Sequence, residues 1–436
     1  MLNSMQNRYK MKKNTLLTIA LFIGIILLSC SNPKTLSLEE QLQNIPNASV
    51  QKIAGDTTFK EYYELYFTQP LDHNNPKLGN FKQRVLLGSR DLDKPMVVEL
   101  QGYNIWTEKA GELSKLLDAN QLTIEHRFFE NSKPDSLNWK YLNIKQAAAD
   151  QHTIIQTLKK IYKGKWISTG ISKGGQTTIY HRYFYPNDVE VSVPYVAPMN
   201  LSREDERINQ YLNTVGNKST RDKITQFQLR CFKQKKQLIP LAKTYAEKHN
   251  YHFSMDMDKV LDLLILEYPF AFWQWGTTPV DSIPPAKATS SEIVKHLAKV
   301  SDMNFFSKEG IEPLKAFFYQ ALTEIGMYNY DIEPFKKYLK NYDKNLTFDH
   351  TFPNTKLPPF KAESMQKVNN WLQTDANKML FIYGEYDPWN ATSVVLKDNQ
   401  KCKKYVKQKG SHRTRIKSFP DSTQTEIIDV IKEWIK

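Results

Sequence analysis

Residues 170–175 read Gly-Ile-Ser-Lys-Gly-Gly. They stand between the apolar run Lys165-Trp166-Ile167-Ser168-Thr169 and a stretch of helical character over 176–185. A strand, a sharp turn carrying serine, and a helix, with glycine two residues to either side of the serine, form a tightly constrained arrangement. The serine backbone is held in a strained conformation, and a side chain at either flanking position would collide with the elements beside it. Such a turn lifts the Ser172 hydroxyl above the end of a strand. It also directs the Lys173 amide N–H and the positive end of a helix at the same point.

The surrounding chain has the pattern this turn requires. Short apolar segments at 96–100, 122–125, 165–169 and 189–196 are separated by helical stretches at 107–118 and 144–161. Strand character returns at 378–383 and 403–407, and a helix closes the chain at 423–435. Strands alternating with helices imply a mostly parallel sheet with helices on both faces, here of the α/β-hydrolase type. Segments 62–67 and 81–87 alternate around a turn at Asp72-His73-Asn74-Asn75-Pro76 and read as an antiparallel hairpin. From about 200 to 370 the sequence is helical, charged and aromatic, with helices expected at 226–243, 256–272, 290–298 and 313–327. The expected organisation is a first core part at 59–200, a helical lid insertion at 201–370 over the carboxyl ends of the strands, and a second core part at 371–436.

A serine hydroxyl needs a base, and the base needs a carboxylate to orient it. In this fold the chain order is serine, acid, histidine. The strand at 378–383 runs into Gly384-Glu385-Tyr386-Asp387-Pro388, which makes Asp387 the acid, with Glu385 its rival. His412 is the one histidine of nine that follows Asp387, and it lies between the last strand and the terminal helix. Two donors are expected for a developing oxyanion: the Lys173 amide, and the Tyr103 amide with its hydroxyl in the loop Gln101-Gly102-Tyr103-Asn104.

The N-terminus has another character. Lys12 and Lys13 precede an apolar run at 16–28, followed by Ser29-Cys30. A basic segment, a short apolar core and small residues constitute an export signal, and the run is short for a membrane-spanning helix. Leu-x-Ser-Cys resembles a bacterial lipobox. The expectation is therefore a lipoprotein signal at 1–30, lipid attachment at Cys30, a tether with the N-terminal segment at 31–58, and a periplasmic or cell-surface location on a bacterial membrane. Met11 offers an alternative start to Met1. An exported location permits a disulfide between Cys231 and Cys402.

The formal net charge is +14, with 24% charged and 40% hydrophobic residues. No basic stripe interleaved with aromatics, helix-turn-helix pattern or zinc-finger spacing accompanies that charge, so nucleic acid is not an expected partner. No clustered Cys/His spacing points to a metal. The proposed chemistry calls for neither a metal nor an organic cofactor.

Several motifs together resemble the prolyl tri- and tetrapeptidyl aminopeptidases, the thirty-seventh family of serine peptidases. They are Glu125-His126-Arg127-Phe128-Phe129, Trp139-Lys140-Tyr141-Leu142, Gln146-Ala147-Ala148-Ala149-Asp150 and the Ser172 turn. Lysosomal Pro-X carboxypeptidase and dipeptidyl peptidase II are related and share the Glu-His-Arg-aromatic element. The resemblance implies a serine exopeptidase with a helical lid that releases short peptides from free amino termini, often after proline, using Ser172, Asp387 and His412. Recognition of the substrate amine would call for partly desolvated carboxylates; Glu204, Asp205 and Glu125 are the candidates. A proline pocket would be aromatic, with Phe270, Phe272, Trp273 and Trp275 as candidates. A lipase or esterase on the same scaffold and a non-catalytic peptide-binding lipoprotein are the alternatives.

Overall fold

The computed structural model describes residues 36–339, 348–353 and 355–436. Residues 1–35, including Cys30 and the expected signal, lie outside the described residues. Two units are distinguished, up to Pro46 and from Asn47 onward. In the first, helix α1 (Leu38–Gln43) starts with a capping box in which Ser37 and Glu40 satisfy each other's backbone N–H groups.

The second unit is built on a nine-stranded sheet. Its strands are β1 (Ala48–Lys52), β2 (Glu61–Pro70), β3 (Asn80–Ser89), β4 (Met96–Leu100), β5 (Asn120–Ile124), β6 (Trp166–Ile171), β7 (Val191–Tyr195), β8 (Leu380–Gly384) and β9 (Lys403–Lys407). They lie in the order β1-β2-β3-β5-β4-β6-β7-β8-β9. β1, β2, β3 and β5 pair antiparallel, and every pairing from β5 through β4 to β9 is parallel. This strand order and the helices beside it are those of the α/β-hydrolase fold. β4, β5, β6, β7 and β8 are almost wholly buried, as strands covered on both faces must be.

Helices α2 (Glu112–Leu116), α3 (Ile144–Leu158), α4 (Lys173–Phe184), α11 (Ala362–Thr374) and α12 (Asp421–Ile435) flank the core. Between β7 and β8 the chain forms α5 (Arg207–Leu212), α6 (Lys218–Lys233), α7 (Lys235–Lys248), α8 (Met257–Trp275), α9 (Ser290–Val300) and α10 (Lys308–Gln320), then a π-helical turn, Ala321–Ile325. No strand forms there among the described residues. α8 is apolar on nearly every side and is the buried axis of this region.

The β7–β8 junction is thin. The Ser192 and Val196 N–H groups donate to the carbonyls of Lys378 and Ile382. Alternate residues face the same neighbour, so position 194 should supply the donor between them. It is proline, which has no N–H, and regular pairing is confined to Tyr195–Ile382 with a bridge at Ser192–Met379.

Local departures from the sequence expectations have identifiable causes. The helix expected at 107–118 shrinks to α2, because the preceding backbone is tied to side chains instead: Ala110 N–H to Asp56 and Gly111 N–H to Gln121. The helix expected at 226–243 is two helices, broken at Gln234. β1 forms within 31–58, the expected tether and N-terminal segment, where no strand is expected.

Candidate active site

The turn after β6 has the predicted strain. Ser172 adopts φ 58° and ψ −123°, outside the regions an L-residue favours. The glycines show what allows it. A Cβ on Gly170 would lie 2.2 Å from the Gly174 carbonyl oxygen, and one on Gly175 would lie 2.8 Å from both the Ala197 Cβ and the Tyr195 oxygen. The Ser172 N–H is held by the Tyr195 carbonyl at 2.9 Å.

Ser172 stands at the carboxyl end of β6, Asp387 just past β8 and His412 after β9. The His412 Nδ1 and the Asp387 Oδ2 are 2.6 Å apart, and Asp387 is fully buried. The other Asp387 oxygen accepts the Trp389 N–H at 3.1 Å, which fixes the carboxylate plane. Glu385, the rival acid, accepts the Lys409 N–H and stays at the surface. The end of α8 holds the histidine loop: the His412 N–H donates to the Gln274 carbonyl at 2.8 Å, and the Trp275 ring meets the imidazole edge-on at 5.9 Å.

The β4 loop packs directly on the serine turn. A Cβ on Gly102 would lie 2.5 Å from both Gly174 N and the Lys173 carbonyl carbon. Burial pushes the Tyr103 phenol above its usual range, with the Ser172 side chain pulling the other way. Lys173, 3% exposed, donates from Nζ to the Gly102 carbonyl at 2.7 Å and lies over the Tyr103 and Phe129 rings.

The other candidates divide by environment. Asp205 is engaged by Arg207 through two bonds and accepts the Leu201 N–H. Glu204 is half-buried beside Arg203, with burial raising its carboxyl above the ordinary range. Glu125 is fully buried and accepts from the Ser132 hydroxyl and the Ile105 N–H. Its neighbour Arg127 instead forms a bidentate pair with Asp150 and donates to the carbonyls of Leu71, Tyr141 and Pro70. Of the four aromatics, only Trp275 is substantially exposed, at 46%. Phe272 packs in the core on Trp273. Phe270 and Trp273 line a cavity of about 310 Å³ within the helical region. Both also touch the segment around Asp387: Phe270, stacked on Tyr328, meets Trp389, and Trp273 meets Tyr386.

Two of the other buried carboxyls, both shifted upward, lie outside the candidates named from the sequence. Glu324, on the π-helical turn, accepts the Ile144 N–H at the start of α3 and is pushed up to about 7 by burial. Glu267, on α8, receives the Tyr328 and Tyr330 hydroxyls and is pushed up to about 8, also by burial. Glu267 lies mid-helix in an otherwise apolar run, and that was the only sequence signal available. Among the described residues, no cluster of His, Cys, Asp and Glu is arranged to hold a metal ion.

Residues 31–420 match the family described as PS-10 peptidase S37. A "Prolyl tri/tetrapeptidyl aminopeptidase" of Streptomyces mobaraensis is 31% identical over 388 residues, covering 86% of this chain and 81% of that one. Among solved structures, a proline iminopeptidase of Mycobacterium smegmatis is 10% identical with a TM-score of 0.38, covering 85% of this chain and 98% of that one. MenH from S. aureus is 13% identical with a TM-score of 0.37, covering 79% and 95%. Superpositions this loose add nothing to what the strand order already gives.

Two expectations about partners are corrected. Cys231, in α6, and Cys402, just before β9, are separate buried thiols, so the expected disulfide is absent. The lipid attachment expected at Cys30 falls outside the described residues, and the family match begins after it, at 31. Among the described residues, no helix is long and apolar enough to cross a membrane.

Proposed function

The chain belongs to the peptidase S37 family, and from that premise we propose that it is a serine exopeptidase releasing short peptides, cut after proline, from substrates with free amino termini. The observation that carries the reading is the buried 2.6 Å Asp387–His412 pair, set at the same sheet edge as the strained Ser172 turn. The proline preference and the tri- or tetrapeptide length draw on the Streptomyces relative's description.

In this mechanism His412 Nε2 removes the Ser172 proton as Oγ attacks the scissile carbonyl carbon. Asp387 fixes the tautomer by accepting from Nδ1 and stabilises the imidazolium that forms. The Lys173 and Tyr103 amides hold the oxyanion. When the tetrahedral intermediate collapses, His412 gives its proton to the departing amine. Water, deprotonated by the same imidazole, then releases the acyl peptide and restores the serine. The helical region between β7 and β8 would restrict the cleft to chain ends. Half-buried Glu204 is the better receptor for the substrate ammonium: Arg203 stands off it at 3.3 Å, whereas Arg207 holds Asp205 through two short hydrogen bonds.

The test is product analysis by mass spectrometry on matched peptides with free and acetylated amino termini. Tri- or tetrapeptides ending in proline, released only from the free set, are expected. Equal cleavage of acetylated peptides, or turnover of nitrophenyl esters alone, would reject the exopeptidase reading. Ser172→Ala should lose at least ~10⁴-fold in kcat. The basic-then-apolar segment at 12–28 supports export. Cell fractionation with N-terminal sequencing checks this, and an intact N-terminus on cytosolic enzyme would refute it.

A further inference from the structure

Lysine is an unusual residue to bury at the first position of α4. Lys173 is 3% exposed, and its Nζ has one hydrogen-bond acceptor, the Gly102 carbonyl at 2.7 Å. Burial holds its amine well below the usual lysine range, with Glu324 pulling the other way. Either protonation state retains an N–H to donate, so the contact survives both. The Gly102 carbonyl shares a peptide plane with the Tyr103 N–H. There are no cis peptide bonds among the described residues, so the carbonyl and the N–H point in opposite directions from one rigid plane. Fixing the carbonyl therefore fixes the N–H. The Gly102 backbone lies against the Lys173–Gly174 peptide, which puts the loop beside the serine turn.

We propose that the Lys173 side chain is a positioning residue for the oxyanion hole, clamping the Gly102 carbonyl so that the Tyr103 N–H is aimed at the carbonyl oxygen of the substrate. One residue then supplies the first donor from its own backbone and orients the second with its side chain. A glycine loop freed from this clamp could rotate the peptide, and preorganisation of the donors would be lost.

The inference rests on the serine-peptidase reading, and the experiment separates the two. Lys173→Met keeps the apolar stem, ends one atom short of Nζ and cannot donate. It should lower kcat on a proline-containing peptide by about 10²-fold with KM changed by less than about threefold. Binding of a tripeptide aldehyde ending in prolinal, whose hemiacetal places an oxyanion in the hole, should weaken by the same factor. Affinity for the product tripeptide should stay unchanged. Lys173→Gln, too short to reach Gly102, is read the same way should the methionine variant fail to fold. A kcat within threefold of the unmodified enzyme, or a parallel loss of aldehyde and product binding, would overturn the clamp. Either result alongside an inactive Ser172→Ala leaves the peptidase reading standing. A fully active Ser172→Ala removes both.

Discussion

Gly170 faces the Gly174 carbonyl so closely that a methyl group would sit at 2.2 Å from it. Backbone on both sides leaves nothing flexible to yield. Gly170→Ala is expected to cost at least ~2 kcal/mol of stability and to displace the Ser172 hydroxyl. A thermal-melt and kcat measurement on the same preparation checks both. Asp387→Asn keeps the shape of the buried acid but presents an amide to His412 Nδ1, favouring the wrong tautomer. A fall of about 10⁴-fold in kcat is expected, with KM nearly constant. Ser172, Asp387 and His412 could be picked out of the sequence because each carries a local mark: a glycine-framed turn, a strand end, and a place in chain order. Lys173's grip on Gly102 leaves no such mark, since it joins residues 71 positions apart. Glu125 shows the opposite hazard. Arg127 is two positions away in sequence, yet its bidentate partner is Asp150, on α3.

At the scale of elements, α8 and the turn after α10 each carry a buried carboxyl shifted upward, Glu267 and Glu324. Glu267 is pushed up to about 8 in the folded chain against an ordinary value of 4.5. The folded state therefore binds the proton more tightly than the unfolded one. Stability from this group is complete below about pH 4.5 and is lost as pH rises through about 8. Glu267→Gln should flatten the decline of the melting temperature between pH 5 and pH 8, measured by calorimetry against the unmodified protein. An unchanged slope would show that Glu267 does not titrate in that window. The main strands and helices were legible because their hydrophobic periods are strong. β1 was not, being a polar edge strand with no buried residue. α1 was legible in principle through Ser37 and Glu40, the capping signature at its start. The shortened α2 was not, since side chains distant in sequence (Asp56 and Gln121) captured the backbone that a local reading gave to a helix.

For the molecule as a whole, the two core cysteines are hidden in different places: Cys231 within the helical region and Cys402 at the start of β9. Burial pushes the Cys231 thiol up to about 12 and raises that of Cys402. Mapping of alkylated peptides should find both unmodified in the native protein and both labelled after denaturation without reductant. The missing amide at Pro194 has a wider effect. It is a suture across the sheet, with the serine on one bank and the acid and base on the other. The ties that cross it include the Met199 N–H donating to the Thr392 carbonyl at 2.6 Å and the Tyr383 hydroxyl donating to the Ala197 carbonyl at 2.8 Å. Alignment of attacking oxygen with imidazole is thus the geometry most easily lost under mild denaturant. Peptide turnover should fade at lower urea concentration than far-ultraviolet ellipticity, and filling the gap with Pro194→Val should bring the two midpoints together.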